Sequence, residues 1–245
     1  MTDDSNARQQ VSYCLAVNAK LLCSGVFVSG RDVDQILTGD LPYDAWPERF
    51  ALADLRVTVD RERNRLTLAT PDGLSRTAIY QPGFGSTILP EGETSLRFTP
   101  PTPAARPPHD PRPWPEGDAG EPDTSAALAA ALDPAFDDNA WPAPLRTRAM
   151  VVVHGGRIVA ERYAAPFTGE TKHISWSMGK SITAALVGVL VGEGAVALDE
   201  PPGFPEWQGA GDRRGEITIR QLLQMRSGLD YRRFDLDDPN FYTPE

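Results

Sequence analysis

Ser177-Met178-Gly179-Lys180 sets a hydroxyl and an amine at the head of a long apolar run. An α-helix advances about 5.4 Å per turn, so Lys180 falls one turn after Ser177 on the same face, where its amine can meet the hydroxyl. The first turn of a helix leaves backbone N–H groups unpaired and carries the positive end of the helix dipole, which favours a developing oxyanion. Lys180, expected among apolar neighbours at that end, is placed to take part in proton transfer. The chemistry this spacing offers is that of an activated serine attacking an acyl carbon.

The elements that must position the pair can be read outward from it. From Ser177 to Val191 the sequence is helical in content, and Met178, Ile182, Ala184, Ala185, Leu186, Val187, Val189, Leu190 and Val191 leave almost no polar face. A helix apolar all round is predicted to be a buried central one, ended by Gly192 and Gly194. Upstream, Met150-Val151-Val152-Val153 and Ile158-Val159-Ala160 flank His154-Gly155-Gly156-Arg157, whose glycines supply the positive backbone angles of a tight hairpin turn. Downstream, Thr218 can cap a short helix and Gly228 can end it.

These three pieces carry a resemblance, running roughly from Arg148 to Asp230, to the serine β-lactamase-like hydrolases. The quoted blocks are Val151-Val152-Val153-His154-Gly155-Gly156-Arg157-Ile158-Val159, His173-Ile174-Ser175-Trp176-Ser177-Met178-Gly179-Lys180-Ser181, and the stretch from Ile217 to Leu229. That family includes class C β-lactamases, D-alanyl-D-alanine peptidases, carboxylesterases and 6-aminohexanoate-dimer hydrolases, and Ser-Trp-Ser-Met-x-Lys-Ser looks most like the last branch. The resemblance implies that Ser177 attacks an amide or ester carbonyl to give an acyl-enzyme. Its own N–H would contribute to the oxyanion hole, and Lys180 would assist deprotonation.

The resemblance also implies a Tyr-x-Asn or Tyr-x-Ser motif further along, followed by a Lys-Thr-Gly-like strand that supplies a second oxyanion donor. Tyr231-Arg232-Arg233 and Tyr242-Thr243-Pro244 match neither. The expectation is therefore a C-terminally truncated hydrolase, inactive or nearly so by itself. The implied fold is α+β and β-lactamase/transpeptidase-like, an antiparallel sheet with a buried helix carrying the nucleophile, incomplete at the C-terminus. The expected substrate is a small-molecule amide or ester, with no cofactor.

Ahead of this segment the sequence changes character. The alternating runs from Leu55 to Val59 and from Arg65 to Ala69, on either side of a polar turn, predict a β-hairpin, with a third strand over Thr77 to Tyr80. Residues 11–36 are mostly apolar, with strand-like Val26-Phe27-Val28 between Gly25 and Gly30. Between positions 99 and 117 stand Pro100, Pro101, Pro103, Pro107, Pro108, Pro111, Pro113 and Pro115, too many for a helix or an interior strand, so a semi-rigid extended connector is predicted. The domains expected are an accessory region at 1–98, the connector at 99–117 and the hydrolase segment at 118–245. Within the last, Asp123-Thr124-Ser125 offers caps for a short helix over 126–132, closed by Pro134.

Other functions are disfavoured by composition and spacing. With 24 basic and 34 acidic residues the net charge is -10, which argues against unaided binding to nucleic acid or anionic lipid. Gly179-Lys180-Ser181 resembles the end of a phosphate-binding loop, but Ile174 occupies the position where that loop needs a glycine. An α/β-hydrolase elbow is the weaker enzyme alternative, because Ser175 replaces the elbow's first glycine and no strand leads into Ser177. His109, His154 and His173 lack metal-ligand spacing. Trp141, Trp176 and Trp207 could line an acyl pocket or simply fill core, and Asp235, Asp237 and Asp238 read as a solvated loop.

Cys14 and Cys23, roughly two and a half helical turns apart, are too distant to pair and read as buried free thiols, which fits a reducing compartment. The polar, acidic start lacks the basic end and apolar core of an export signal, and Asn18 and Lys20 interrupt the one apolar stretch that could span a membrane. A cytoplasmic location is expected, or a periplasmic one if the true start lies upstream. A noncatalytic binding or regulatory remnant is the reading from outside enzymology.

Overall fold

Val11, Leu15, Ala19, Leu22, Cys23 and Val26 recur at helical spacing, and all six are buried on one side of α1, Thr2–Phe27. They belong to a computed structural model that describes residues 2–41, 54–105, 108–117, 122 and 124–229. It divides into two compact units, Met1–His173 and Ile174–Glu245. No helix of the described residues is long and apolar enough to cross a membrane.

In the first unit α1 lies on an antiparallel meander of β1 Arg56–Asp60, β2 Arg65–Ala69, β3 Ser75–Gln81 and β4 Gly85–Ile88, hydrogen-bonded in that order. The predicted hairpin is present, with Asp60 opposite Arg65 and Asn64 at φ 51 in the turn. Period-two alternation sends Leu66, Leu68 and Ala78 into the core under α1. On the other face Thr67 and Thr77 stand opposite each other, their hydroxyls 2.8 Å apart. Burying a leucine side chain contributes about 1.5–3 kcal/mol, so this layer pair holds the unit together. No alternating run in the sequence marks β4, whose four residues are Gly-Ser-Thr-Ile.

Three local expectations are corrected. Val26 and Phe27 are helical, because the apolar stripe of α1 continues to Val26 and Phe27 stacks on Tyr80 of β3 with ring centroids 5.9 Å apart. A run of three apolar residues fits either element, and packing on the sheet decides. The short α2, Val33–Gly39, follows, capped by the Asp32 carboxylate on the Asp34 N–H at 2.8 Å. Gly25 admits its Ile36, since a Cβ there would stand 2.5 Å from Ile36 Cδ1.

The second correction concerns α3, Ala126–Phe136, which Ser125 caps and which runs through Pro134 instead of closing at it. Near the helix end the Pro134 carbonyl accepts from Trp141 Nε1 at 2.7 Å. Asp123, one of the predicted capping residues, lies outside the described residues. Along the connector Pro103 packs on Gly83 of the β3–β4 turn, and Phe98 tilts against Phe84 at 5.5 Å. The second hairpin is as expected, β5 Ala149–His154 and β6 Arg157–Tyr163 joined through Gly155 at φ 57 and Gly156 at φ 74.

In the second unit a 3-10 turn, Trp176–Met178, leads into α4, Gly179–Gly192. The helix closes as predicted around its glycines: Gly194 at φ 72 and Ala195 return their N–H groups to Val191 and Leu190. The third correction is burial. No residue of α4 is buried, and Ile182, Leu186 and Val189 are 63%, 61% and 55% exposed. Burial needs a facing layer, and among the described elements of this unit only the preceding 3-10 turn packs closely on α4.

The last helix, α5, spans Ile219–Leu223. Thr218 caps it as expected, and with Gln221 it forms a reciprocal capping box. Its end falls before Gly228. Met225 takes the left-handed conformation at φ 57, and the N–H groups of Met225 and Arg226 bond back to Leu222 and Gln221. Gly228, at φ 74, belongs to the turn beyond.

Candidate active site

Ser177 is the middle residue of the 3-10 turn, held by the Met178 N–H on the Ser175 carbonyl at 3.0 Å. The Gly179 N–H is directed at the carbonyls of Ser177 and Trp176, so the turn runs into α4 without a side-chain cap at either junction. Trp176, directly before the serine, sits at φ 44. A bulky residue in the left-handed region costs of order 1–3 kcal/mol and is found where the surroundings have a use for it. Nothing in the residue type announces this, since tryptophan is an uncommon choice for that conformation.

Lys180 Nζ donates to Ser177 Oγ at 2.9 Å. The structure thus brings the two predicted residues together at hydrogen-bond distance, one helical turn apart. One turn on, Thr183 Oγ1 donates to the Gly179 carbonyl at 3.2 Å. Both Ser177 and Lys180 are exposed, where the sequence reading places them among apolar neighbours. Trp176 and Met178 beside them are also open, at 63% and 67%.

Trp207 packs edge-on against Phe204 at 5.0 Å, and Trp141 belongs to the first unit. His173 lies against the Phe167 ring at 5.6 Å. Among the described residues no three potential metal ligands gather. Tyr231, Tyr242, Asp235, Asp237 and Asp238 lie outside the described residues. Within the second unit α5 is tied to the preceding loop, with the Ile219 and Arg220 N–H groups donating to the carbonyls of Glu200 and Leu198. Arg220 also grips Asp199 through Nε at 2.6 Å and Nη2 at 2.9 Å, and these hydrogen bonds hold the Asp199 carboxyl below its ordinary range.

Residues 145–243 match a family model described as Beta-lactamase. A 6-aminohexanoate-dimer hydrolase from Paenarthrobacter ureafaciens is 31% identical over 93 residues, which cover 38% of this chain and 24% of the relative. The chain thus spans about a quarter of the length of that curated relative. No solved structure matches it. Family model and relative support a serine β-lactamase-like family, and the residues that the model matches include Ser177 and Lys180.

Proposed function

We propose that the chain is a serine hydrolase of amide or ester bonds acting through an acyl-enzyme on Ser177, in the manner of 6-aminohexanoate-dimer hydrolases. The observation that carries the reading is the 2.9 Å contact of Lys180 Nζ with Ser177 Oγ, inside the segment that matches the family. In the forward step Ser177 Oγ bonds to the acyl carbon as its proton passes to the Lys180 amine, which must first have released one of its own protons. The carbonyl oxygen becomes an oxyanion beside the first turn of α4, where the Ser177 N–H and the positive helix end favour it. As the oxyanion collapses, the C–N or C–O bond breaks and the leaving group takes the proton that Lys180 had accepted; water then attacks the acyl carbon, the free acid leaves, and Ser177 Oγ regains a proton.

In this reading residues 1–98 are an accessory region, 99–117 a connector and 118–245 the hydrolase segment, although the compact units part later, between His173 and Ile174. The substrate is a small acyl compound. The exposed setting of Ser177 and Lys180 favours slow turnover, because water around the pair weakens every electrostatic interaction with the developing charge. It is also what speaks for the second reading, a noncatalytic binding module.

Hydrolysis of p-nitrophenyl acetate and of a 6-aminohexanoate dimer by the purified chain tests the proposal. Whatever turnover exceeds background is expected to vanish in Ser177→Ala and to fall about a hundredfold or more in Lys180→Ala. Turnover at the unsubstituted chain's rate in either variant removes the motif from the chemistry.

A further inference from the structure

The residues just before the nucleophile turn are held from the N-terminal region. Asp40, at the end of α2, accepts hydrogen bonds from Arg31 and from Arg148 of the hairpin approach, with the Arg31 Nη2 contact at 3.2 Å. The three side chains are 9%, 11% and 31% exposed for Arg31, Asp40 and Arg148. Both guanidinium carbons also lie over the ring of Phe167, at 5.1 and 5.3 Å from its centroid.

Around this cluster the backbone is pinned as well. Ser29 Oγ donates to the Lys172 carbonyl at 2.6 Å, and Arg146 Nη1 donates to the carbonyls of Thr38 and Gly39 at 3.0 and 3.2 Å. The loop so held, residues 164–173, has its own hydrogen bonds, from the N–H of Ala164 to Arg148 O, of Phe167 to Ala164 O, and of Thr171 to Thr168 O.

We propose that Asp40 is a positioning residue: through Arg31, Arg148 and Phe167 it clamps the loop that delivers the chain to the Ser177 turn. The N-terminal region then sets how residues 164–173 hand the chain on to Ile174 and the Ser177 turn, an inference that rests on reading Ser177 as the nucleophile. The physical argument is charge balance. Two guanidiniums share one carboxylate and one ring with little water, and cation–π attraction cannot replace the carboxylate, so neutralising Asp40 sets two like charges against each other and drives the loop open.

The test combines hydrogen exchange with the rate at which a fluorophosphonate acylates Ser177, in the full 245-residue chain. Asp40→Asn is expected to speed exchange at the Ala164, Phe167 and Thr171 amides by about tenfold or more while the amides of β2 keep their protection. Acylation is expected to slow, and Asp40→Glu to restore part of both. Phe167→Leu removes the ring without touching the charges and gives the same loosening, so it serves should Asp40→Asn fail to fold. Asp133→Asn, which breaks the exposed 2.5 Å pair with Arg162 on the same hairpin, leaves the loop unchanged. Unaltered exchange in Asp40→Asn and Phe167→Leu overturns the clamp. Faster exchange with acylation at the original rate overturns the positioning role. A chain that folds but never acylates defeats the hydrolase reading and the positioning role with it, while exchange alone still decides whether the clamp exists.

Discussion

In the first unit α1 presents Leu15 and Leu22 to the sheet at 0% exposure, whereas in the second α4 shows Ile182 and Leu186 to solvent at 63% and 61%. The contrast runs against composition, for α1 carries Lys20, Asn18 and an acidic start, while α4 is apolar on nearly every side. A helix is buried by the layer that faces it, not by its own hydrophobicity. The meander from β1 to β4 supplies that layer for α1, with Leu66, Leu68 and Ala78 across the interface. Among the described elements of the second unit none does the same for α4.

The largest expected effect follows from that difference. Leu22→Ala should remove about 2–5 kcal/mol from the stability of the chain in denaturant unfolding, because the cavity lies between two packed layers. Leu186→Ala should change it by no more than about 0.5 kcal/mol. A loss at Leu186 comparable to that at Leu22 would mean that α4 is covered in solution and that the two regions are alike.

The smaller effect concerns how helices end. α4 closes with Gly194 in the left-handed position, while α5 closes with Met225, which is 82% exposed there. Met225→Gly relieves the crowding of a Cβ at positive φ and should stabilise the end of α5 by about 0.5–1 kcal/mol. The gain is read as slower exchange at the Arg226 amide, which bonds to Gln221 O at 2.8 Å. Faster exchange would show that the glycine's added freedom outweighs the strain.

Where a feature is written in local spacing, the sequence discloses it. The alternation of Val57, Val59, Leu66 and Leu68 marks the first hairpin, Gly155-Gly156 marks the second, and Ser177 and Lys180 meet because one helical turn separates them. Features set by distant partners stay hidden. Nothing near Arg31 or Asp40 announces Arg148, and Val26-Phe27-Val28 reads as a strand until Tyr80 is seen beneath Phe27. Gly228 is the obvious place to end α5, yet the backbone turns three residues sooner, at Met225. Composition alone predicts burial of α4, and composition does not specify what lies opposite.

The most direct test of the central claim is covalent. After treatment of the folded chain with a fluorophosphonate, mass spectrometry of the peptides should locate the adduct on Ser177. The adduct should be absent in Ser177→Ala and should form far more slowly in Lys180→Ala. A folded chain that takes up no adduct, or carries it on another residue, would contradict the assignment of Ser177 and Lys180 as the reactive pair.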